Sequence, residues 1–339
     1  MGNFKIRICQ DLDGRAHSIS STTSYRNLGD TVIRGLFTHS PHLAVVEIIF
    51  DAERTFHIIL QDNIDIPSIC SKLPGNIARC WARYLNERDL HRPKGRQASR
   101  GTLPDPTQGT VDKTPYETLR PGVAISSPIA ANHSQSLVTT SGVMVQNFAG
   151  DRFMTAASHG IGRSRRLFQA QPVGDPKEIG EAVVEISFTD VALVQLNNGI
   201  NFENTPFDQE GEDIPNFTRL LGEVADDRID MSLEVTLNSP FTGVIAGVVI
   251  ALSFKLTSVP PVHPTEDALS YNIFMWSWAG QNTLGTQPRV PDSVCGSAIW
   301  DSNGRIIGFF HFYVEEGPWA GYCASISADE VVRAGYRLA

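Results

Sequence analysis

The sequence predicts a mostly β chain, with a barrel or sandwich of short strands over its last two-thirds behind a small α+β unit. Three observations predict it. Beyond about residue 119 the chain breaks into short apolar runs separated by turns bearing Gly and Pro, the pattern of an all-β sandwich or barrel. Ahead of that lies a polar stretch rich in Pro and Gly with no periodicity, which reads as a linker. The 339 residues, 41% hydrophobic and 19% charged, supply core for two units. The expected organisation is an N-terminal α+β domain over 1–88, a linker over 89–118 and a β domain over 119–339.

In the N-terminal unit, Phe4 to Cys9 reads as a strand, and Asp30 can cap a short helix carrying Val32, Ile33, Leu36 and Phe37. LAVVEIIF and TFHIIL, joined by DAER, read as a hairpin over Leu43 to Leu60. Ile77, Cys80, Trp81, Tyr84 and Leu85 recur at helical spacing and predict an amphipathic helix packed on the core. After the linker, strands are predicted from SLVTTSGVMVQ, RFMTAAS, AVVEISFTDVALVQL, MSLEVTL, GVIAGVVIALSF, YNIFMWSWA, SAIW and RIIGFFHFYV. Ser327 followed by Glu330 predicts a capping box that opens a C-terminal helix.

Composition excludes several function classes. A net charge of −9 argues against a general nucleic-acid binder, and the cluster Arg163, Arg165 and Arg166 is short enough to be a solvated loop. The longest apolar run, Gly243 to Leu252, is about half the length a membrane span needs, so it reads as a buried strand. The N-terminus lacks a signal-peptide core, and Ile6 stands where a myristoylation motif wants Ser or Thr. Five widely spaced cysteines fit reduced thiols in an intracellular, cytoplasmic protein. They show no zinc spacing, so neither a metal nor another cofactor is expected.

Three residues carry candidate chemistry. His159 stands at the exit of the strand RFMTAAS, either as a structural residue or as a base. Asp190 interrupts the apolar FTDVALVQL, either as a turn residue or as an acid that orients an imidazole. Cys295 precedes Gly296, which permits a tight turn exposing the thiol; the other reading is a small buried cysteine.

Together these segments resemble the chymotrypsin/trypsin-like peptidase family. TAASHG resembles the TAAHC segment with one inserted residue, TDVALVQL resembles the strand D-I-A-L-x-x-L, and VCGSAIWDSNGRIIGF resembles DSGGP or DSGSP followed by a hairpin. The order His, Asp, nucleophile also matches, and the resemblance covers roughly Arg120 to Ala339. It implies a chymotrypsin-like double β-barrel ending in a helix, with His159 as general base, Asp190 as its orienter and Cys295 as nucleophile, as in cysteine-using relatives. Ser293 is the rival nucleophile but lacks a following Gly, and a Cys standing in place of Ser stays open. The backbone N–H groups of Ser293 and Cys295 would form the oxyanion hole, with Ser293 lacking the usual Gly's freedom. Val294 replaces the Asp that pairs with a new N-terminus in zymogen activation, so no such cleavage is expected. Arg289, His311, Phe312 and Tyr313 match substrate-binding positions; packing is the other reading of His311, and Phe312 and Tyr313 would narrow the primary pocket.

The expectation is therefore an intracellular cysteine peptidase taking a peptide or protein substrate, with no nucleic-acid or membrane partner and an oligomeric state left open. The alternatives are a non-catalytic protease-fold binding module, an acyltransferase or esterase using the same residues, and a chain that cuts its own linker.

Overall fold

The computed structural model describes residues 43–77, 79–92, 114–129, 136–169, 175–186, 188–206, 215–225, 227–256, 270–278 and 290–339. The strand expected at Phe4 to Cys9 and the helix expected after Asp30 lie outside them.

The described chain opens with β1 (Val45–Asp51) and β2 (Thr55–Leu60), the expected hairpin. Asp51 Oδ1 closes its turn by accepting the Thr55 N–H at 2.9 Å. A short helix, α1 (Ile66–Ile69), leads to β3 (Asn76–Ile77) and β4 (Cys80–Asn86). β4 replaces the predicted amphipathic helix. It pairs parallel to β2, from Thr55↔Trp81 to Leu60↔Asn86. The side chains of β2 are all buried, so its second edge needs a hydrogen-bonding partner, and Trp, Tyr and Cys sit readily in a strand. That tertiary demand overrides the local helical spacing, and Trp81 is left 67% exposed.

A short strand, β5 (Thr118–Leu119), precedes the first barrel, which comprises β6 (Ala124–Pro128), β7 (Ser136–Thr140), β8 (Met144–Gln146), β9 (Arg152–Ala157), β10 (Arg166–Gln169), β11 (Lys177–Glu185) and β12 (Val191–Leu196). β7 pairs with β6 and, after a bend at Ser141–Val143, its continuation β8 pairs with β9. That shared strand closes the ring β6, β7/β8, β9, β12, β11, β10, a barrel of six strands. Leu119, Ile125, Met154, Leu167, Ile179 and Val194 fill its interior.

Short β13 (Asn201–Phe202) and β14 (Arg219–Leu220) lead to the second barrel. It comprises β15 (Glu234–Ser239), β16 (Gly243–Leu256), β17 (Ser270–Trp278), β18 (Ala298–Trp300), β19 (Arg305–Tyr313) and β20 (Cys323–Ser327). The order β15-β18-β19-β20-β17-β16 closes through a β15–β16 pairing. Trp276, Phe274, Phe310 and Ile299 are fully enclosed, and each contributes about 1.5–3 kcal/mol of hydrophobic stabilisation. β16 has 14 residues, more than one ring neighbour can occupy. Its far half also pairs with β1, from Glu47↔Lys255 to Asp51↔Ala251, so the N-terminal strands continue the second barrel's sheet.

The chain thus has a chymotrypsin-like double β-barrel with a C-terminal helix, α2 (Asp329–Arg333). Its cap differs from expectation. Ser327 is a buried residue of β20 paired with Gly308, Ala328 occupies the cap position and no side chain caps the helix. Glu330 instead accepts the Asn272 N–H at 2.7 Å and ties the helix to β17. β21 (Arg337–Leu338) then returns to the first barrel and pairs with β8. No helix among the described residues is long and apolar enough to cross a membrane.

Candidate active site

The first barrel supplies two of the three predicted residues. β9 stops at Ala157, and a single 3-10 turn, Ser158–Gly160, carries His159 off the strand. Asp190 enters β12 beside it, because Val191 pairs with Ala157 across the β9–β12 ladder. Asp190 has a φ of 71° and Phe188 a φ of 62°, left-handed values that cost a non-glycine residue energy. Local bonds hold them there. The Ile186 N–H donates to the Val191 carbonyl at 2.8 Å, and the Thr189 hydroxyl donates to the Ile186 carbonyl at 2.7 Å.

This loop aims the Asp190 carboxylate at His159. Oδ1 accepts the His159 backbone N–H at 2.8 Å, and Oδ2 lies 2.5 Å from the ring Nδ1. The Asp190 carbonyl accepts the Ser158 N–H at 2.7 Å. A half-buried carboxylate on an apolar strand is thereby satisfied, and the contact assigns the Nδ1 proton to the Asp190 side.

The second barrel supplies Cys295. A 3-10 turn, Asp292–Val294, precedes it, and Gly296 follows with φ +89°. A Cβ on Gly296 would meet the Thr140 carbonyl oxygen at 2.7 Å and the Ala157 nitrogen at 2.9 Å, so only glycine lets the two barrels close around this turn. Thr140 clamps it from the first barrel. Its N–H donates to the Cys295 carbonyl at 3.1 Å and its hydroxyl to the Ser293 carbonyl at 2.8 Å.

The three predicted residues come together in the cleft. The Cys295 sulfur lies near enough to the His159 imidazole for each to shift the other's ionisation, while the thiol donates to the His311 carbonyl at 2.8 Å. Cys295 is 1% exposed and His159 9%, so the site is closed around the sulfur. Ser293 contributes its carbonyl to Thr140, and the Ser297 hydroxyl is fully buried. Of the three residues at this turn, Cys295 is the one that meets the imidazole.

Charge is distributed unevenly along the row. Burial acts to raise the Asp190 pKa, but His311 and His159 outweigh it and hold the carboxyl far below the ordinary carboxylate range. Burial acts to lower His159, yet the Cys295 sulfur and the Asp190 carboxylate overcome it and leave the ring well above its ordinary value. Burial pushes the Cys295 thiol up, against the opposing pull of His159.

The remaining predicted residues divide. Arg289 lies outside the described residues. His311 touches the acid: its Nδ1 sits 2.9 Å from Asp190 Oδ2, without hydrogen-bond alignment, on a ring 5.8 Å from that of His159. The Phe312 ring lies 4.8 Å from His311 and packs between the barrel core and the N-terminal strands. Tyr313 is half-buried against the barrel core. The Cys295 N–H donates back to the Asp292 carbonyl at 2.9 Å, which closes the 3-10 turn and points this donor away from the cleft. Among the described residues, ligand atoms of His159, Asp190 and His311 lie within 4.8 Å of one another and could hold a metal ion; the same groups carry the acid–histidine contacts just described.

The link between Asp190 and His311 had no reliable signal in the sequence. Phe309 and Phe310 are both buried and the register of β19 against β20 shifts between Phe310 and Phe312, so His311 sits at an irregularity of the strand.

No family model and no curated protein matches the chain. Among solved structures it is similar to a glutamic acid-specific serine protease described as using a histidine triad in substrate binding, at 15% identity and a TM-score of 0.41, over 65% of this chain and 100% of that one. It is also similar to the Rv3671c protease of M. tuberculosis in its active form, at 15% identity and a TM-score of 0.36, over 63% and 78% of the two chains. The Nocardiopsis protease NAPase aligns at 10% identity with a TM-score of 0.38, over 65% and 98%. The double barrel itself is established by the strand pairings of this chain, and these overlaps add no more than likeness.

Proposed function

We propose that the chain is a peptidase working by acyl transfer, with Cys295 as nucleophile, His159 as general base and Asp190 as the acid that orients it. The observation that carries this reading is the bond of Asp190 to His159 Nδ1, with the His159 ring electrostatically coupled to the Cys295 sulfur that the other barrel brings to the shared cleft. Nδ1 faces the carboxylate, which leaves Nε2 for the thiol proton. As that proton moves to Nε2, Sγ attacks the substrate carbonyl carbon. The imidazolium then protonates the leaving amine, giving a thioester on Cys295. His159 deprotonates a water that attacks the thioester, and the acid product leaves with the thiol restored. An extended peptide would run along His311–Tyr313, as the resemblance implies.

The resting site must open for this chemistry. Substrate would displace the thiol from the His311 carbonyl, and rotation of the Asp292–Ser293 peptide would turn the Asp292 carbonyl away and release the Cys295 N–H from the 3-10 turn. Among the described residues Cys70, Cys80, Cys295 and Cys323 are free thiols, which suits a reducing intracellular setting for a sulfur nucleophile. The enclosure of the sulfur favours one other reading, a non-catalytic module that binds a peptide along the same edge.

A mixture-based peptide library read by mass spectrometry separates the two. The proposal expects cleavage by the wild type that Cys295→Ala abolishes and Ser293→Ala preserves. Equal product patterns from wild type and Cys295→Ala, or no cleavage alongside retained peptide binding, would leave the binding module.

A further inference from the structure

We infer that the N-terminal strands form part of the substrate cleft, with Arg92, clamped by buried Glu47, positioning Phe312 and the substrate-pairing end of β19. The inference rests on the peptidase reading for its catalytic consequence and on packing alone for its structural one.

Glu47 is a charge placed where burial is costly. Glu47 lies in the middle of β1 and is 1% exposed. Its carboxylate takes both arms of the Arg92 guanidinium, Oε1 at 2.6 Å from Nη2 and Oε2 with Nη1, and also accepts the Ser253 hydroxyl of β16. Such a two-pronged pair fixes the guanidinium plane as well as its position. The far side of that plane meets Phe312, with Arg92 Cζ 6.0 Å from the ring centroid, near the outer limit of a cation–π contact. Phe312 in turn stands against His311, which touches Asp190.

Two further contacts bind the loop after β19 to the same segment. Gly317, with φ +84°, passes so close to it that a Cβ there would meet the Asp89 carbonyl oxygen and His91 Cδ2 at 3.0 Å each. Trp319 packs edge-on against the His57 ring of β2 at 5.0 Å, and His57 Nε2 lies 2.7 Å from Asp51 Oδ2. Leu90, Ile49 and Ile59 share one buried cluster with Val314 and Trp319. The strand and loop from Phe312 to Tyr322 are therefore walled on one side by residues 47–92. A peptide lying along His311–Tyr313 would be read by a strand whose position those residues set. Arg92 is a positioning residue here: it reaches the cleft only through Phe312.

The test compares Arg92→Ala, Arg92→Lys, the charge-neutral double variant Glu47→Gln/Arg92→Gln, and Gly317→Ala, which pushes the loop away without unpairing a charge. Amide hydrogen exchange over 311–322 reads positioning with no substrate present. The inference expects faster exchange there in Arg92→Ala and Gly317→Ala, with the strands of the first barrel retaining their protection. Kinetically, the ratio of kcat/KM for library peptides to that for p-nitrophenyl acetate, which needs no extended strand, should fall about tenfold, chiefly through KM, because misplacing a binding edge weakens alignment more than chemistry. Arg92→Lys should recover part of it. Unchanged exchange over 311–322 overturns the inference whatever the activity, and so does an equal loss on peptide and ester. Wild type that cleaves neither substrate, with exchange still raised in the variants, would refute the peptidase reading and leave the packing role standing.

Discussion

On the proposed mechanism Cys295 loses its proton inside the folded site, where burial pushes its thiol up and His159 opposes that rise. In that mechanism His159 accepts the proton, and charge on the Cys295 sulfur together with the Asp190 carboxylate holds its own pKa well above 6.5, so the ring keeps a proton where a free imidazole has lost it. The reactive base form appears only as pH rises through this raised value. Activity should consequently climb on the alkaline side of 6.5, which a kcat/KM profile measures. Stability should run the other way. A raised folded pKa gives a contribution that is complete below the unfolded value and fades as pH rises through the folded one, so thermal midpoints should drop over the same span. Asp190→Asn should weaken that dependence without abolishing it, because the Cys295 sulfur also raises the ring. Ser293→Gly should ease rotation of the oxyanion segment by about 1 kcal/mol, roughly fivefold in kcat. The three residues were legible in the sequence because each sits on a short motif with its own local geometry. The contact of His311 with Asp190 was not, since it joins two barrels through a ring placed at a register shift of β19.

At the scale of elements, turns and hairpins were read well, while partnerships decided the rest. The hairpin β1–β2 and the strands of both barrels that carry alternating or continuous apolar runs appear where the pattern placed them. β4 was misread because Ile77, Cys80, Trp81, Tyr84 and Leu85 fit helical spacing, and the exposed edge of β2 that recruits them is not a local property. β20 was missed because Cys-Ala-Ser-Ile-Ser has no recognisable alternation, although both of its faces are buried. Gly296 tests the turn that presents the sulfur. Gly296→Ala should cost about 2–3 kcal/mol by chemical denaturation, since it adds strain at φ +89° to a clash with Thr140.

For the whole molecule, the consequential feature is a sheet that runs from the second barrel into the N-terminal strands. The pairing of β1 with β16 spans two hundred residues of sequence and leaves no trace in either segment beyond its apolar character. Glu47 makes the join measurable. Glu47→Gln strands the Arg92 charge in a buried setting and should lower stability by about 3 kcal/mol, whereas Glu47→Gln/Arg92→Gln removes both charges and should cost less. If the strands were an independent appendage, the loss would appear as a separate early transition rather than a shift of the main one.

The account stands on transfer of an acyl group to one sulfur with help from one imidazole. Rapid quenching after mixing with p-nitrophenyl acetate, followed by peptide mapping, tests it most directly. Acetyl should accumulate on Cys295 in wild type and about a hundredfold more slowly in His159→Ala. Acetylation of Cys295 that is indifferent to His159→Ala, or that falls on the exposed Cys70 instead, would contradict it.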